Sequence, residues 1–555
     1  MGIACRACVW SRCGTDLQRP SAAKGGIISL VADREIEGVR AWIHRLLGDP
    51  GVQDRQALPA RVRRLVGGFA TKPRNQAANP NPESAMSLPL SIRTLASCAV
   101  LCAAAGLSDA ARADFIYGRL VPSAGVNPNG ESTNVDVSAD GRTVVFVSTA
   151  NNWVGDSYNG TRALAVDLDT GDVEAVSSTG GTVFRGEAPA VSGDGRYVAF
   201  LTLNSAFGPS WQALRKDRET GALALASANS AGQPPANGIN DNTVSISADG
   251  RYVAFQTDAN LTGIEVPDAG GYAPAGSSGE IYVKDMQSGL VERASTKSDG
   301  TASGGTCQLQ RHALSADGRF LAMICNVAML PSATNGQAYV RDLQANTTEL
   351  ISRGTAAPNG TSTFVNRLAI SPDGSYVSFQ TRGYGGLGYA DGTNIESNSG
   401  LYLRDRFLGT TTAIPRPPVI PTTNYDSCSI SDVSDIGNLV FACNHSWTGG
   451  GAYTQVFWYL IYGPAPEMIS VTGGGQPGNS ASGYTLALNA SGLSMAWESN
   501  ASDIDPADTN GVSDIFILVE ESVVNDTIFA NGFDPATAAP EASVTPSVVI
   551  SPIGR

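Results

Sequence analysis

The densest run of groups that could do chemistry is Asp503-Ile-Asp-Pro-Ala-Asp508-Thr-Asn-Gly-Val-Ser-Asp514. Asp503, Asp505, Asp508, Asn510 and Asp514 bring carboxylates and an amide oxygen close together in the chain. A hard cation such as Ca²⁺ takes six to eight such oxygens. The spacing departs from an EF-hand loop, which wants acids at positions 1, 3 and 5, Gly at 6 and Glu at 12. The competing reading is a polar loop whose Asn-Gly turn and Asp514 cap the following strand. Asp391-Gly-Thr-Asn-Ile-Glu-Ser-Asn398 is a weaker second candidate. The expected cofactor is therefore none, with Ca²⁺ as the alternative.

Other chemistry is thin. Beyond residue 113 the histidines are His312 and His445. His312 falls in register with Val244 and Leu368, which predicts a structural role on a packing face. His445 lies in Asn444-His-Ser-Trp-Thr-Gly-Gly, a loop where a binding role is conceivable. No G-x-S-x-G elbow offers a serine nucleophile. Cys5, Cys8 and Cys13 have no fourth ligand at zinc spacing. The formal charge of −14 opposes contact with nucleic-acid phosphates.

The N-terminal region sets the compartment. Met86-Ser-Leu-Pro-Leu-Ser-Ile-Arg93 is a positively charged start, Thr94 to Leu107 is apolar, and Ala111-Arg-Ala113 is a small-x-small site. Residues 86–113 read as a secretory signal peptide, too short for a comfortable membrane span. Residues 1–85 then read as a mis-assigned upstream segment. Leu95-Ala-Ser-Cys98 lacks a hydrophobic stretch before the cysteine, which favours soluble export over a lipid anchor. The expected location is periplasmic or secreted, with no transmembrane segment. Four cysteines remain beyond the signal: Cys307, Cys325, Cys428 and Cys443. In an exported chain an even number points to disulfides. Each of the pairs Cys307–Cys325 and Cys428–Cys443 flanks one turn, so each is expected to close one hairpin.

The elements that must position all this come from a repeat. Ser247-Ala-Asp-Gly-Arg-Tyr-Val-Ala-Phe255 has counterparts at Ser138–Phe146, Ser192–Phe200, Ser315–Met323 and Ser371–Phe379. Degenerate copies surround Gly437 and Gly492. The turn glycines 141, 195, 250, 318, 374, 437 and 492 recur at intervals of 54, 55, 68, 56, 63 and 55 residues. Asp-Gly between alternating runs is a hairpin signal. In the third unit the strands are read as 242–247, 251–257, 280–285 and 290–296. Four antiparallel strands repeated seven times predict an all-β fold, a seven-bladed β-propeller over residues 114–522. On the innermost strands bulky residues (Val135/Val137, Val244/Ile246) face one way and small ones (Ala190/Ser192, Ser245/Ser247) the other, as stacked blades need. Tyr117–Ser123 resembles a lone fourth strand, while the last unit lacks one. The N-terminal strand of the mature chain is thus expected to complete the seventh blade and remove the open edge. Asp285, Asp342 and Asp405, which end third strands, are read as partners of neighbouring turns.

Ser-x-Asp-Gly-Arg-Tyr-Val-Ala-Phe followed by Ile-Tyr-Val-x-Asp resembles the WD40-like (PD40) repeat of TolB-type propellers, over about residues 115–520. TolB carries an additional α/β domain ahead of its propeller, for which residues 114 onward leave no room, so its partners are not implied here. Prolyl oligopeptidase relatives need a hydrolase domain that has no counterpart. Oligogalacturonate lyase propellers rely on a histidine-rich metal site, and the sialidase Asp-box has a different spacing. After Val519 come the apolar-aromatic motif Asp526–Asp534 and a Pro/Ala/Ser/Thr/Val-rich end, so 523–555 reads as a motif and a flexible tail. The expected function is a monomeric, exported, non-catalytic scaffold that binds a protein or cell-envelope component. The alternatives are a carbohydrate-active or peptide-hydrolysing enzyme and a calcium-stabilised structural or adhesive protein.

Overall fold

The structure is a computed structural model. It describes residues 115–123, 126–235, 237–239, 243–262, 279–354, 357–382, 387, 399–415, 428–445, 451–461, 463, 465–520 and 549–553. These fall in the unit Ala113–Arg555. The upstream segment 1–85, the signal peptide 86–113 and the motif Asp526–Asp534 lie outside the described residues.

Each repeat folds as its turn chemistry dictates. The Ser247 hydroxyl donates to Asp249 Oδ1 at 2.6 Å and accepts the Tyr252 N–H at 2.9 Å. Asp249 Oδ1 also accepts the Arg251 N–H at 2.9 Å, and Gly250 takes the left-handed turn position at φ 68°. The same closure recurs at Ser138, Ser192, Ser315 and Ser371. In the last copy Asn489 Oδ1 substitutes, accepting the N–H groups of Leu493 and Ser494. Arginine after the glycine forks onto the aspartate that ends the third strand: Arg196 onto Asp217, Arg251 onto Asp285 and Arg319 onto Asp342. Those hydrogen bonds hold Asp217, Asp285 and Asp342 below the usual carboxylate range. The expectation that Asp285 and Asp342 serve the architecture holds.

Six four-stranded antiparallel sheets and a five-stranded one follow among the described residues, one per repeat. Blade 3 comprises Ser245–Ile246, Tyr252–Thr257, Glu280–Asp285 and Val291–Arg293. The blades close into a seven-bladed propeller. Each of the seven junctions between neighbouring blades has its own apolar cluster. Between blades the motif aromatic lies on the next turn glycine. A Cβ on Gly250 would sit 2.2 Å from Tyr197 Cδ2, and one on Gly318 2.1 Å from Tyr252 Cδ2. The glycine thus serves its own hairpin and its neighbour's tyrosine.

Blade 7 is built from both ends of the chain. Phe115–Val121 pairs antiparallel with Asp514–Glu520, Tyr117 opposite Leu518, so the N-terminal strand does complete the ring. A fifth strand, Val549–Pro552, adds to its outer edge. The expectation of a flexible tail is corrected here for residues 549–553: Ile550 and Ile553 are buried, and Ile550 has the β-branched character that strands favour. Cys307–Cys325 and Cys428–Cys443 are disulfides, each joining facing residues of the first two strands of its blade with Cα atoms 4.1 Å apart. Among the described residues no helix is long and apolar enough to cross a membrane.

Gly250→Ala should destabilise the protein by about 2–5 kcal/mol, from a positive-φ side chain and overpacking against Tyr197. In urea melts, Tyr197→Ala should recover part of that loss, giving a coupling of roughly 1 kcal/mol or more. Strictly additive effects would remove the inter-blade contact as the reason for the glycine.

Candidate functional site

Two places concentrate ionisable groups: the acidic loop of blade 7 and the central channel. In the first, Arg119 comes up from the middle of the N-terminal strand and is almost completely buried. Its Nε donates to Asp505 Oδ2 at 2.8 Å and its Nη1 to Asp514 Oδ2 at 2.7 Å, with Asp508 Oδ1 3.7 Å away. Nη2 donates to Asn127 Oδ1 at 2.6 Å. Burial alone would lower the guanidinium pKa, but the three carboxylates override it and hold it above the usual value. Burial also pushes Asp508 and Asp514 up, opposed by Arg119.

The structure therefore brings Asp505, Asp508 and Asp514 together, with an internal cation at their centre. Asn510 turns its amide NH₂ to Asp514 while its oxygen accepts the Val512 N–H. Asp503 stands apart and accepts the Asn479 N–H. The loop 391–398 lies outside the described residues, as do Cys5, Cys8 and Cys13.

The channel is built by the first strands of the blades. In each, the residue four before the turn glycine is aliphatic: Val137, Val191, Ile246, Leu314, Ile370 and Leu488 all line a cavity of about 80 Å³. Nearer the turns it is lined by small residues, Ala139, Gly193, Ala248, Ala316, Pro372 and Ala490. Deeper lie Asp136, Asp432, Ser245 and His312. Asp136 accepts the N–H groups of Val137 and Val191, and Asp432 those of Val433 and Leu488, so each carboxylate clasps its own blade to the next. Asp432 is raised to about 6 by burial, with His312 opposing.

His312 is not on the blade-packing face. Its backbone sits at φ 52°, in the left-handed region, and the imidazole turns into the channel. Nδ1 lies 3.4 Å from Asp432 Oδ2 and 3.8 Å from Asp136 Oδ1. Nε2 is buried without a hydrogen-bond partner. Next to it, Arg311 crosses the ring: Nη2 donates to the Val135 carbonyl at 2.8 Å and to that of Pro189 at 3.2 Å, in blades 1 and 2. Burial lowers this guanidinium's pKa, opposed by Asp136, Glu498 and Asp432. Glu498 accepts the Asn134 N–H and the Thr485 hydroxyl and is raised by burial. His445 ends the second strand of blade 6; its side chain lies outside the described residues.

Asp136, Asp432, Arg311 and Arg119 went unread in the sequence. A signal existed for two of them. Asp136 and Asp432 occupy the position five before the turn glycine, where other copies have Ala190, Ser245, Ala313, Ala369 and Ala487. An acid on an otherwise small-residue face marks a departure from architecture.

Fold and site together define a closed seven-bladed propeller with a polar channel floor. No protein-family model matches the sequence, and no curated protein does. Solved structures do resemble it. The β-propeller domain of the Trilobed protease from Pyrococcus furiosus is 12% identical, over 66% of this chain and 89% of that one, with a TM-score of 0.40. TolB from Acinetobacter baumannii is 17% identical, over 54% of this chain and 65% of that one, with a TM-score of 0.31. Oligogalacturonate lyase from Vibrio parahaemolyticus is 11% identical, over 74% of this chain and 93% of that one, with a TM-score of 0.41. Likeness at this level says nothing about activity.

Arg119→Ala leaves buried carboxylates unpaired and should cost about 3–5 kcal/mol. With the guanidinium gone, millimolar Ca²⁺ should restore part of the lost melting temperature in the variant and leave the parent unmoved. A Ca²⁺ shift in the parent would show that the loop binds the ion beside its arginine.

Burial also raises Asp435 to about 6. Native Asp432 and Asp435 keep protons that the unfolded chain loses near pH 3.8. Their stabilisation is complete below that value and fades as pH rises through about 6. Asp432→Asn should therefore flatten the decline in stability between about pH 4.5 and 6.5, read from denaturant midpoints. An unchanged slope would refute the raised carboxyl.

Proposed function

We propose that this chain is an exported, non-catalytic propeller that binds a protein or a cell-envelope component on its loop face. One observation carries the reading: the recurrent Ser, Asp, Gly and Arg of the repeat are engaged within the architecture, while three of the four exposed Phe and Tyr side chains among the described residues (Phe407 being the fourth) stand on the face opposite the Asp-Gly turns. First strands begin there and second strands end there. Phe364 before blade 5, Tyr453 in blade 6 and Tyr484 in blade 7 are 55%, 50% and 67% exposed. Aromatics of this kind supply much of the energy in protein interfaces. Two disulfides suit an oxidising compartment and support export.

An enzyme would need a nucleophile, a base or a metal set in reach of one another. His312 touches carboxylates, and among the described residues no hydrogen bond joins its side chain to a serine, threonine or cysteine. That favours binding over hydrolysis.

The test uses the chain from Asp114 onward as bait in an envelope extract. A discrete component should be retained saturably, and Phe364→Ser with Tyr484→Ser should lower its retention at least tenfold. Retention that is indifferent to both substitutions, or no retention at all, would overturn the reading.

A further inference from the structure

The opposite end of the channel carries a separate feature. There the Asp-Gly turns stand around the cavity mouth, and Asp140, Asp194, Asp249, Asp317 and Asp373 are exposed while Asp435 is half-buried. The arginines that follow these turns point away, toward the outer strands: Arg142 to Asp169, Arg196 to Asp217, Arg251 to Asp285 and Arg319 to Asp342. A crown of six carboxylates thus stands on the turns around the mouth of a narrow cavity whose lining begins one residue before most of them. Arg215, Arg218 and Arg406 donate to the turn carbonyls of Gly250, Gly195 and Gly374, but Arg218 and Arg406 are paired with Glu174 and Glu349. The acids therefore prevail, and the low-dielectric walls focus their field on cations. Below the crown comes the aliphatic collar, and below that the floor of Asp136, Asp432 and His312. His312 and Arg311 face Asp136, Asp432 and Glu498 at that depth, so with the three carboxylates ionised and the imidazole neutral the floor is negative.

We propose that this funnel binds a primary ammonium on an unbranched aliphatic stem. The collar fits methylenes, and the floor carboxylates accept hydrogen bonds from the ammonium. A metal ion fits poorly. Each oxygen of Asp136 and Asp432 accepts one backbone N–H and keeps a lone pair for an ammonium proton, but the apolar collar cannot supply the remaining ligands that a hard cation requires. A small free amine and the lysine side chain of a partner protein share this chemistry. The site is separate from the aromatic loop face and does not depend on it.

Calorimetry and thermal melts on the folded chain test the proposal, with n-butylamine, n-butanol, a short lysine peptide and its Nε-acetylated form as probes. Butylamine should bind saturably and raise the melting temperature, while butanol and the acetylated peptide should not. A lysine peptide that binds at least tenfold tighter than butylamine assigns the site to a protein partner; otherwise it takes a free amine. Asp432→Asn should weaken binding at least tenfold. Should that variant misfold, Asp249→Asn with Asp317→Asn at the exposed crown should weaken binding at low salt and reduce its salt dependence. Equal behaviour of butylamine and butanol, or affinity indifferent to these substitutions, would overturn it.

Discussion

A chain of hydrogen bonds runs from blade to blade around the channel mouth, and the remaining structure depends on it. Asp140 N–H donates to the Gly193 carbonyl, Gly193 to Ala248, Ala248 to Ala316, and Ala316 to Pro372. Pro372 has no N–H to continue the series. Asp373 donates instead to the side chain of Asp435 at 2.7 Å, Asp435 donates to Ala490, and Ala490 returns to Ala139. The circuit holds the seven turns close together. Gly193 shows how tightly: a Cβ there would lie 2.9 Å from the Ala248 methyl. Asp435 accordingly has a backbone group to satisfy, and the desolvation it suffers is what raises its pKa.

A circuit of this kind is only as strong as its last junction, because an open ring would expose two blade faces. Blade 7 draws its strands from both ends of the described chain, and Arg119 fastens the N-terminal one. A guanidinium shared among three carboxylates is directional, with several short bonds in fixed geometry. It also makes closure specific, since it ties this strand to its pocket in register, with Tyr117 opposite Leu518 and Arg119 opposite Phe516. Tyr117 adds a second fastening, its hydroxyl donating to the Ile469 carbonyl in blade 6 while its ring stacks on Trp497.

The repeat made the architecture legible because each local signal agreed with the others. Asp-Gly called for a hairpin, alternation for strands, and the missing fourth strand for closure by Tyr117 and its neighbours. The disulfide pairs followed, since facing positions on adjacent strands are set by hairpin register. The site was harder to read for a physical reason. His312 was placed by counting from Gly318, and counting assumes regular pleating. The left-handed backbone at His312 lies in a turn between the paired Gln308 and Leu314, which breaks the count and turns the side chain to the other environment. The acidic loop was visible as a cation-binding set, but the cation was in the same chain, almost 400 residues earlier. Nothing local ties Arg119 to Asp505; only ring closure does.

Repetition and departure from it therefore have different consequences at the channel. An aspartate needed to close one hairpin becomes, when repeated around a ring, a crown of like charge that no single hairpin would create. Its field is a by-product of architecture and would exist in any propeller with these turns. The floor is not a by-product. Asp136 and Asp432 replace small residues, His312 enters from a left-handed turn, and Arg311 reaches across to blades 1 and 2. Desolvation makes each of these groups costly in a wall otherwise aliphatic. Their hydrogen bonds to neighbouring blades offset part of that cost, yet a serine hydroxyl does the same at Ser245, which accepts the Leu314 N–H. Where serine suffices for the clasp, the additional charge at Asp136 and Asp432 answers to something beyond holding two blades together.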